Sequence, residues 1–227
     1  MIDNDYTGKE TLEFLKDAIN YNHFLEQELL GFIAPCARAA DFGAGNGEFA
    51  ARLQAQGKHI TAIEADAQLR AVLSEKNIPN VSTISALEMQ ERIYSQNVLE
   101  HIEDDAAILR ELAGKLTSGG KLFIYVPAFQ CLYTDFDKAI GHHRRYRKEG
   151  LAALLMQSGF AVERAEYVDS VGFLCWMVMG KLPGDKTRIN PLMIKLFDRM
   201  LFPLSRVLDK MTKNYFGKNL LVIGRKI

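Results

Sequence analysis

Apolar residues recur at helical spacing over residues 11–31, where Leu12, Leu15, Ile19, Phe24, Leu25 and Leu29 share a face. One or two helices therefore open the chain, ended by Gly31 and Pro35. The pattern then shortens. Arg38 to Phe42, His59 to Ala65, Val81 to Ile84, Arg92 to Asn97, Leu122 to Val126, Val162 to Val168 and Leu220 to Gly224 read as strands. Leu122 to Val126 is a continuous apolar run, as in a strand buried on both faces. Between them lie helical stretches at 48–56, 67–76 with Asp66 as N-cap, and 151–156. Another begins at the acids Glu103, Asp104 and Asp105, carries Ile108, Leu109, Leu112 and Leu116 on its apolar stripe, and ends at Gly119-Gly120. Strands alternating with helices predict an α/β protein, a doubly wound seven-stranded sheet with helices on both faces.

The first strand runs into Asp41-Phe-Gly-Ala-Gly-Asn-Gly47 and a helix follows. Glycines at 43, 45 and 47 let the backbone turn tightly and approach a ligand closely. A dinucleotide fingerprint needs its third glycine at position 48. Glu48 stands there, and its charge opposes a pyrophosphate at the helix start. The spacing suits a ligand without phosphates but with a cationic end. Glu64, at the end of the second strand, is placed to accept hydrogen bonds from ribose hydroxyls. Together these point to a nucleoside cofactor lacking phosphate.

Composition narrows the class. The chain has 227 residues, 48% hydrophobic and 25% charged, enough for a core of ordinary size without disulfides. Three scattered cysteines suggest neither a disulfide framework nor a zinc site and fit a reducing compartment. The N-terminus lacks a basic region followed by an apolar run, so a cytoplasmic location is expected. The net charge of zero hides a basic C-terminal segment. From Lys181 onward there are eleven Lys/Arg against three Asp/Glu. Nucleic acid is therefore not the expected partner of the whole chain.

DFGAGNGEF, the acid at Glu64, Asn97-Val-Leu-Glu-His-Ile102 before an acidic helix start, and Leu116-Thr-Ser-Gly-Gly-Lys-Leu-Phe-Ile124 together resemble class I S-adenosylmethionine-dependent methyltransferases. The resemblance covers residues 36–169 and resumes at the last strand. It is nearest to a bacterial subgroup with a GHxRRY segment after strand 5, here Gly141-His-His-Arg-Arg-Tyr146. It implies strand order 3-2-1-4-5-7-6 with strand 7 antiparallel, and S-adenosylmethionine as cofactor. By that match Asp41, Gly43, Gly45 and Gly47 border the methionine part, Glu64 holds the ribose, and Ala65, Ser85 and Ala86 lie toward the adenine. Asn97 falls beneath the sulfonium end, with Tyr21 as cover. The single methyltransferase domain then divides into a helical cover (1–35), a cofactor core (36–169), a helical insertion (170–218) and the last strand (219–227).

One departure stands out. Only Ser85 to Glu91 join strands 3 and 4, a link that crosses three strand spacings, roughly 14 Å. The expectation is no helix there and a shortened or irregular start to strand 4.

Methyl transfer from a sulfonium is an in-line displacement, so the protein mainly aligns a nucleophile. Histidines His101, His142 and His143, with Tyr146, are candidates for proton transfer from an oxygen or nitrogen acceptor. Tyr133, Arg144 and Arg145 are candidates for holding it, the arginines as a carboxylate or phosphate clamp, so the expected acceptor is anionic and partly apolar: a small molecule, a lipid-like molecule or a peptide carboxylate. Tyr146 could instead pack the loop. Asp135 and Asp137 pair better with the arginines than with a metal, and no metal is expected.

The insertion places Leu192, Met193, Leu196, Phe197, Met200, Leu204, Val207, Leu208 and Met211 on a wide apolar stripe beside Lys195, Arg199, Arg206, Lys210 and Lys213. It reads as a helix packed on its own domain, a homodimer contact, a lid for an apolar or lipid-like acceptor, or a peripheral membrane contact. Two other functions stay open: a silent S-adenosylmethionine-binding regulatory or scaffold protein, and an NAD(P)-dependent oxidoreductase.

Overall fold

Seven strands form one sheet in the order β3-β2-β1-β4-β5-β7-β6. The strands are β1 (Ala39–Phe42), β2 (Ile60–Ile63), β3 (Asn80–Val81), β4 (Gln90–Gln96), β5 (Leu116–Pro127), β6 (Phe160–Val168) and β7 (Asn219–Lys226). β3, β2, β1, β4 and β5 pair in parallel, and β7 runs antiparallel to β5 and β6. This is the expected order. The computed structural model describes residues 18–34, 36, 38–179 and 191–227, so Leu12 and Leu15 lie outside the described residues.

Alternation along the strands builds two cores. Leu122 and Ile124 of β5 face Leu109 and Leu112 of α4 (Asp105–Lys115) and, beyond the short α5 (Asp135–Ala139), Leu151 and Leu155 of α6 (Lys148–Gln157). Phe123 and Tyr125 face the opposite side. There α1 (Ile19–Ile33) contributes Leu25, Leu29 and Phe32, while α2 (Glu48–Ala55) and α3 (Ala67–Glu75) contribute Leu53 and Leu73. Asp66 caps α3, its Oδ1 accepting from the N–H groups of Gln68 and Leu69 at 2.7 and 3.0 Å.

Some boundaries differ from the pattern. α1 runs through Gly31 to Ile33. α4 ends at Lys115, because Leu116 already pairs with Gln90 as the first residue of β5. Gly119 takes a left-handed φ of 71° inside that strand, so the two glycines bend β5 rather than end the helix. β3 stops at Val81, three residues early, which lengthens the crossing to β4. Its only helical feature is the 3-10 turn Ile84–Ala86. β4 keeps seven residues, but its register against β5 shifts between Gln90 and Arg92. The start is irregular, as expected, though not shortened.

The insertion comprises α7 (Ser170–Met179), α8 (Pro191–Leu196), a π-helical turn (Phe197–Leu201) and α9 (Phe202–Thr212). Its polarity is opposite to the expected packing. Asp198, Phe202, Ser205 and Asp209 are buried, while Leu192, Met193, Leu196, Met200, Leu204, Val207, Leu208 and Met211 are exposed. The inward carboxylates cap other helices. Asp198 accepts from the N–H groups of Asn20 and Tyr21 at the start of α1. Asp209 accepts from those of Asp169 and Ser170 at the start of α7. These contacts stabilise unpaired helix-start donors and turn the apolar face outward. Among the described residues no helix is long and apolar enough to cross a membrane.

Candidate active site

The carboxyl ends of β1, β2 and β4 lie side by side and carry Asp41, Glu64 and Asn97. Between β1 and α2 the chain turns through three glycines with φ between 56° and 76°. A side chain at Gly43 would collide with Val98, and one at Gly47 with Leu73. The turn therefore needs glycine for conformation and for space at both positions. Glu64 reaches over it: Oε2 accepts from Gly45 N–H at 2.8 Å and Oε1 from Asp66 N–H at 3.0 Å. A carboxylate has about four lone-pair sites, so further donors still fit.

Asp41 is buried, and burial pushes its carboxyl up to about 7. The Tyr94 hydroxyl lies beside it without a hydrogen bond of full geometry and partly offsets that shift, while the Glu64 charge adds to it. A cationic group arriving here would stabilise the ionised carboxylate. Asn97 adopts a left-handed φ of 52° and donates its N–H to Tyr125 O at 2.8 Å. Tyr21 comes in from α1. Burial raises its phenol to about 12, against hydrogen bonding with Tyr125 and Asn97. Tyr21 and Asn97 are thus neighbours. Ala65 O accepts from Arg70 Nη1 at 2.6 Å. Ser85 and Ala86 sit in the 3-10 turn after β3, where the Ser85 hydroxyl lies 2.9 Å from Thr83 Oγ1.

Two residues past Asn97 the chain forms the turn Leu99–His101. Its Glu100 is fully buried, with no hydrogen bond to either carboxylate oxygen. Burial raises this carboxyl to about 8. His101 is held at about 4 by burial and by His142, and its ring bonds to the Gly141 backbone. The two imidazoles meet edge to face with centroids 4.6 Å apart. His142 Nδ1 lies 2.9 Å from Asp137 Oδ1, and its Nε2 lies 3.7 Å from Glu100 Oε1. His143 is exposed and donates its N–H to Glu100 O.

The arginines differ from expectation. Arg145 is buried and bidentate on Asp137, with Nε at 2.8 Å and Nη2 at 2.9 Å. Arg144 donates to Asp105 Oδ2 at 2.8 Å and to Glu103 O at 2.9 Å. Both guanidinium groups serve internal carboxylates, so the substrate clamp is corrected to a pair of loop anchors. Tyr146 is likewise an anchor. Its hydroxyl donates within 3.1 Å of Leu99 O and 2.9 Å of Asp105 Oδ2. Tyr133 donates its hydroxyl to His142 O at 2.6 Å and fixes the histidine loop.

A family model described as a methyltransferase domain matches residues 17–165. The chain belongs to this methyltransferase family. Solved structures with the same fold include a SAM-dependent methyltransferase from Archaeoglobus fulgidus, 17% identical, with a TM-score of 0.61 over 94% of this chain and 99% of that one. Another is an S-adenosylmethionine-dependent methyltransferase from Mesorhizobium loti, 16% identical, with a TM-score of 0.56 over 83% and 90% of the two chains. No curated protein matches the sequence significantly. Family membership implies S-adenosylmethionine as the methyl donor. The donor set fits it: a buried carboxyl that lacks a cation, a ribose-type acid and a glycine cradle without room for Cβ atoms.

One feature of this methyltransferase escapes the residue pattern. Glu100 lies between Leu99 and His101, just before the acidic helix start, and looks like one more acid of that start. Only the fold brings it, with His101, to within 4.8 Å of a ligand atom on His142, forty-two positions beyond Glu100. Asp137 pairs with Arg145 as expected, while Arg144 takes Asp105, which the residue pattern does not indicate.

Proposed function

We propose that this chain methylates an oxygen or nitrogen of a small-molecule or lipid-like acceptor, partly apolar, using S-adenosylmethionine in the cytoplasm. The observation that carries this reading is the alignment of Asp41, Glu64 and Asn97 at three neighbouring strand ends around the glycine turn. The donor supplies an activated methyl group. Glu64 then orients the ribose, Asp41 attracts the cationic end, and Asn97 with Tyr21 closes the pocket beside the methyl position. His101, held neutral at ordinary pH, is an acceptor of a proton from a nucleophile of low pKa but a weak base for an alcohol. The exposed apolar face of α8 and α9 supports an acceptor drawn from an apolar phase. The engaged arginines withdraw support from a specifically anionic or peptide-carboxylate acceptor.

The test is calorimetric titration with S-adenosylhomocysteine and, separately, NADH. The parent chain should bind the first and not the second. Glu64→Ala should weaken binding by about 1–3 kcal/mol, the range for leaving buried polar partners unpaired. Gly45→Val should weaken it further by obstructing the turn. Parent-like affinity in both variants, with intact folds, would overturn the reading.

A further inference from the structure

We infer that Glu100, His101 and His142 form a binding site for one divalent first-row transition ion of the zinc class, at the carboxyl edge of β4. Each residue offers one ligand atom, and these atoms all lie within 4.8 Å of one another. Zinc–ligand bonds are about 2.0–2.2 Å, so two ligands of a tetrahedral ion stand roughly 3.3–3.6 Å apart. The 3.7 Å between Glu100 Oε1 and His142 Nε2 is already close to that. Side-chain adjustments of up to about 1.3 Å bring the remaining pairs into range.

The surroundings prepare these groups for a cation. His142 faces Asp137 through Nδ1 at 2.9 Å, and a carboxylate only accepts, so the proton lies on Nδ1 and the Nε2 lone pair points toward Glu100. A carboxylate behind a histidine is the usual outer support of a metal-ligating imidazole. Arg145 is bidentate on the same Asp137, which fixes that carboxylate and offsets the arginine's charge near the site. Glu100 is the independent sign. It is fully buried, neither oxygen has a hydrogen-bond partner, and the charges acting on it, Arg145 and Asp137, are already paired with each other. Its ionised form is costly there unless something positive completes it.

Two imidazoles and one carboxylate suit zinc, cobalt or manganese better than magnesium or calcium, which take oxygen donors. Three protein ligands leave at least one coordination position open. Glu100 follows Asn97 by three residues in sequence, and its charge acts on Tyr21, the residue beside Asn97 at the proposed methyl site. An acceptor oxygen bound at the open position would be held in line and made more acidic. This role, though not the ion site itself, rests on the methyltransfer reading, and with the ion bound it takes the place of His101 as proton acceptor.

The experiment uses the full chain, stripped with a chelator and titrated with Zn2+ by calorimetry and with Co2+ by its visible absorption. One ion should bind per chain, with cobalt showing the spectrum of a low-coordinate nitrogen–oxygen site. Glu100→Gln, His101→Asn and His142→Ala should each weaken Zn2+ by at least about tenfold. His59→Ala and His23→Gln should bind as the parent does. S-adenosylhomocysteine is titrated into each chelator-stripped variant, and unchanged affinity shows an intact fold. Absence of saturable Zn2+ binding in a parent that binds S-adenosylhomocysteine overturns the ion site and leaves the methyltransfer reading standing. Zn2+ affinity that survives all three substitutions overturns it too. A parent that binds Zn2+ but no S-adenosylhomocysteine keeps the ion site and defeats the methyltransfer reading instead.

Discussion

The insertion and the edge of β4 both bury carboxylates, and they treat them in opposite ways. Asp198 and Asp209, 2% and 3% exposed, each accept two backbone N–H groups at the start of a helix. Asp137, equally buried, is held by Arg145, His142 and Thr134. Burial would raise its carboxyl, but these hydrogen bonds outweigh it and hold it at about 2. Glu100 has no side-chain hydrogen bond, and burial outweighs its own backbone N–H and the Arg145 charge and pushes it the other way, to about 8. A carboxylate surrounded by donors reports on architecture. One held in place with its lone pairs vacant destabilises the fold locally, and such strain concentrates where chemistry happens.

The sharpest break of this contrast is Asp137→Ala. It leaves the buried Arg145 guanidinium without its partner, and loss of about 3–5 kcal/mol is expected in a denaturant titration. Glu100→Gln in the chelator-stripped protein should fall within about 1 kcal/mol of the parent or be more stable, since no hydrogen bond is removed. If the two variants cost the same, Glu100 is an anchor like the others.

Asp198→Ala and Asp209→Ala come next. Each removes a helix cap supplied from a distant part of the chain, so each should cost about 1–2 kcal/mol. Arg206 Nη1 pairs with Asp209 at 2.6 Å but is a third exposed, and adds little. Hydrogen exchange should quicken at the start of α1 in the first variant and of α7 in the second. A uniform change across the sheet would argue against local capping.

Asp41 makes a comparison in pH. Its carboxyl is raised to about 7, above its unfolded value. The stability it contributes is therefore complete below the unfolded pKa and is lost as pH rises through about 7. Ligand binding should move oppositely, because a cationic ligand needs the ionised form. Affinity for S-adenosylhomocysteine, which keeps the ammonium group, should rise about tenfold between roughly pH 6 and 8. Asp41→Asn should flatten both profiles. A parent profile already flat over this range would mean that the ligand's charged end lies elsewhere.

These contrasts also mark how far the sequence is legible. The strands, the glycine turn and the cap at Asp66 follow from local pattern, because period-two runs, glycines and short polar caps act over a few residues, whereas the strand order is legible only through the family resemblance. The end of α4 was not legible, since Leu116 fits a helical stripe and a strand equally well until Gln90 pairs with it. The histidine cluster was visible only as separate candidates. His101, His142 and Asp137 acquire their roles from a loop that Tyr133, Arg144 and Tyr146 pin across the sheet edge. The insertion misleads most, because its apolar spacing is helical and strong yet its buried positions are chosen by capping carboxylates.

That inversion leads to the smallest expected change in stability and a large change in behaviour. Met200, Val207 and Met211 are 69%, 61% and 78% exposed, on the face opposite Asp198 and Asp209. Lys195, Arg199 and Lys210 lie among them in sequence. Replacing the three apolar residues with serine removes little buried area, so stability should stay within about 0.5 kcal/mol of the parent. An apolar helix face flanked by cations suits the surface of an anionic bilayer. The parent should therefore co-sediment with phosphatidylglycerol-containing vesicles, and the triple variant should not. Sedimentation of the free proteins separates this from self-association. A parent dimer that becomes monomeric in the variant assigns the face to a second copy of the chain and removes the membrane reading. Equal vesicle binding by both proteins would shift the contact away from this face altogether.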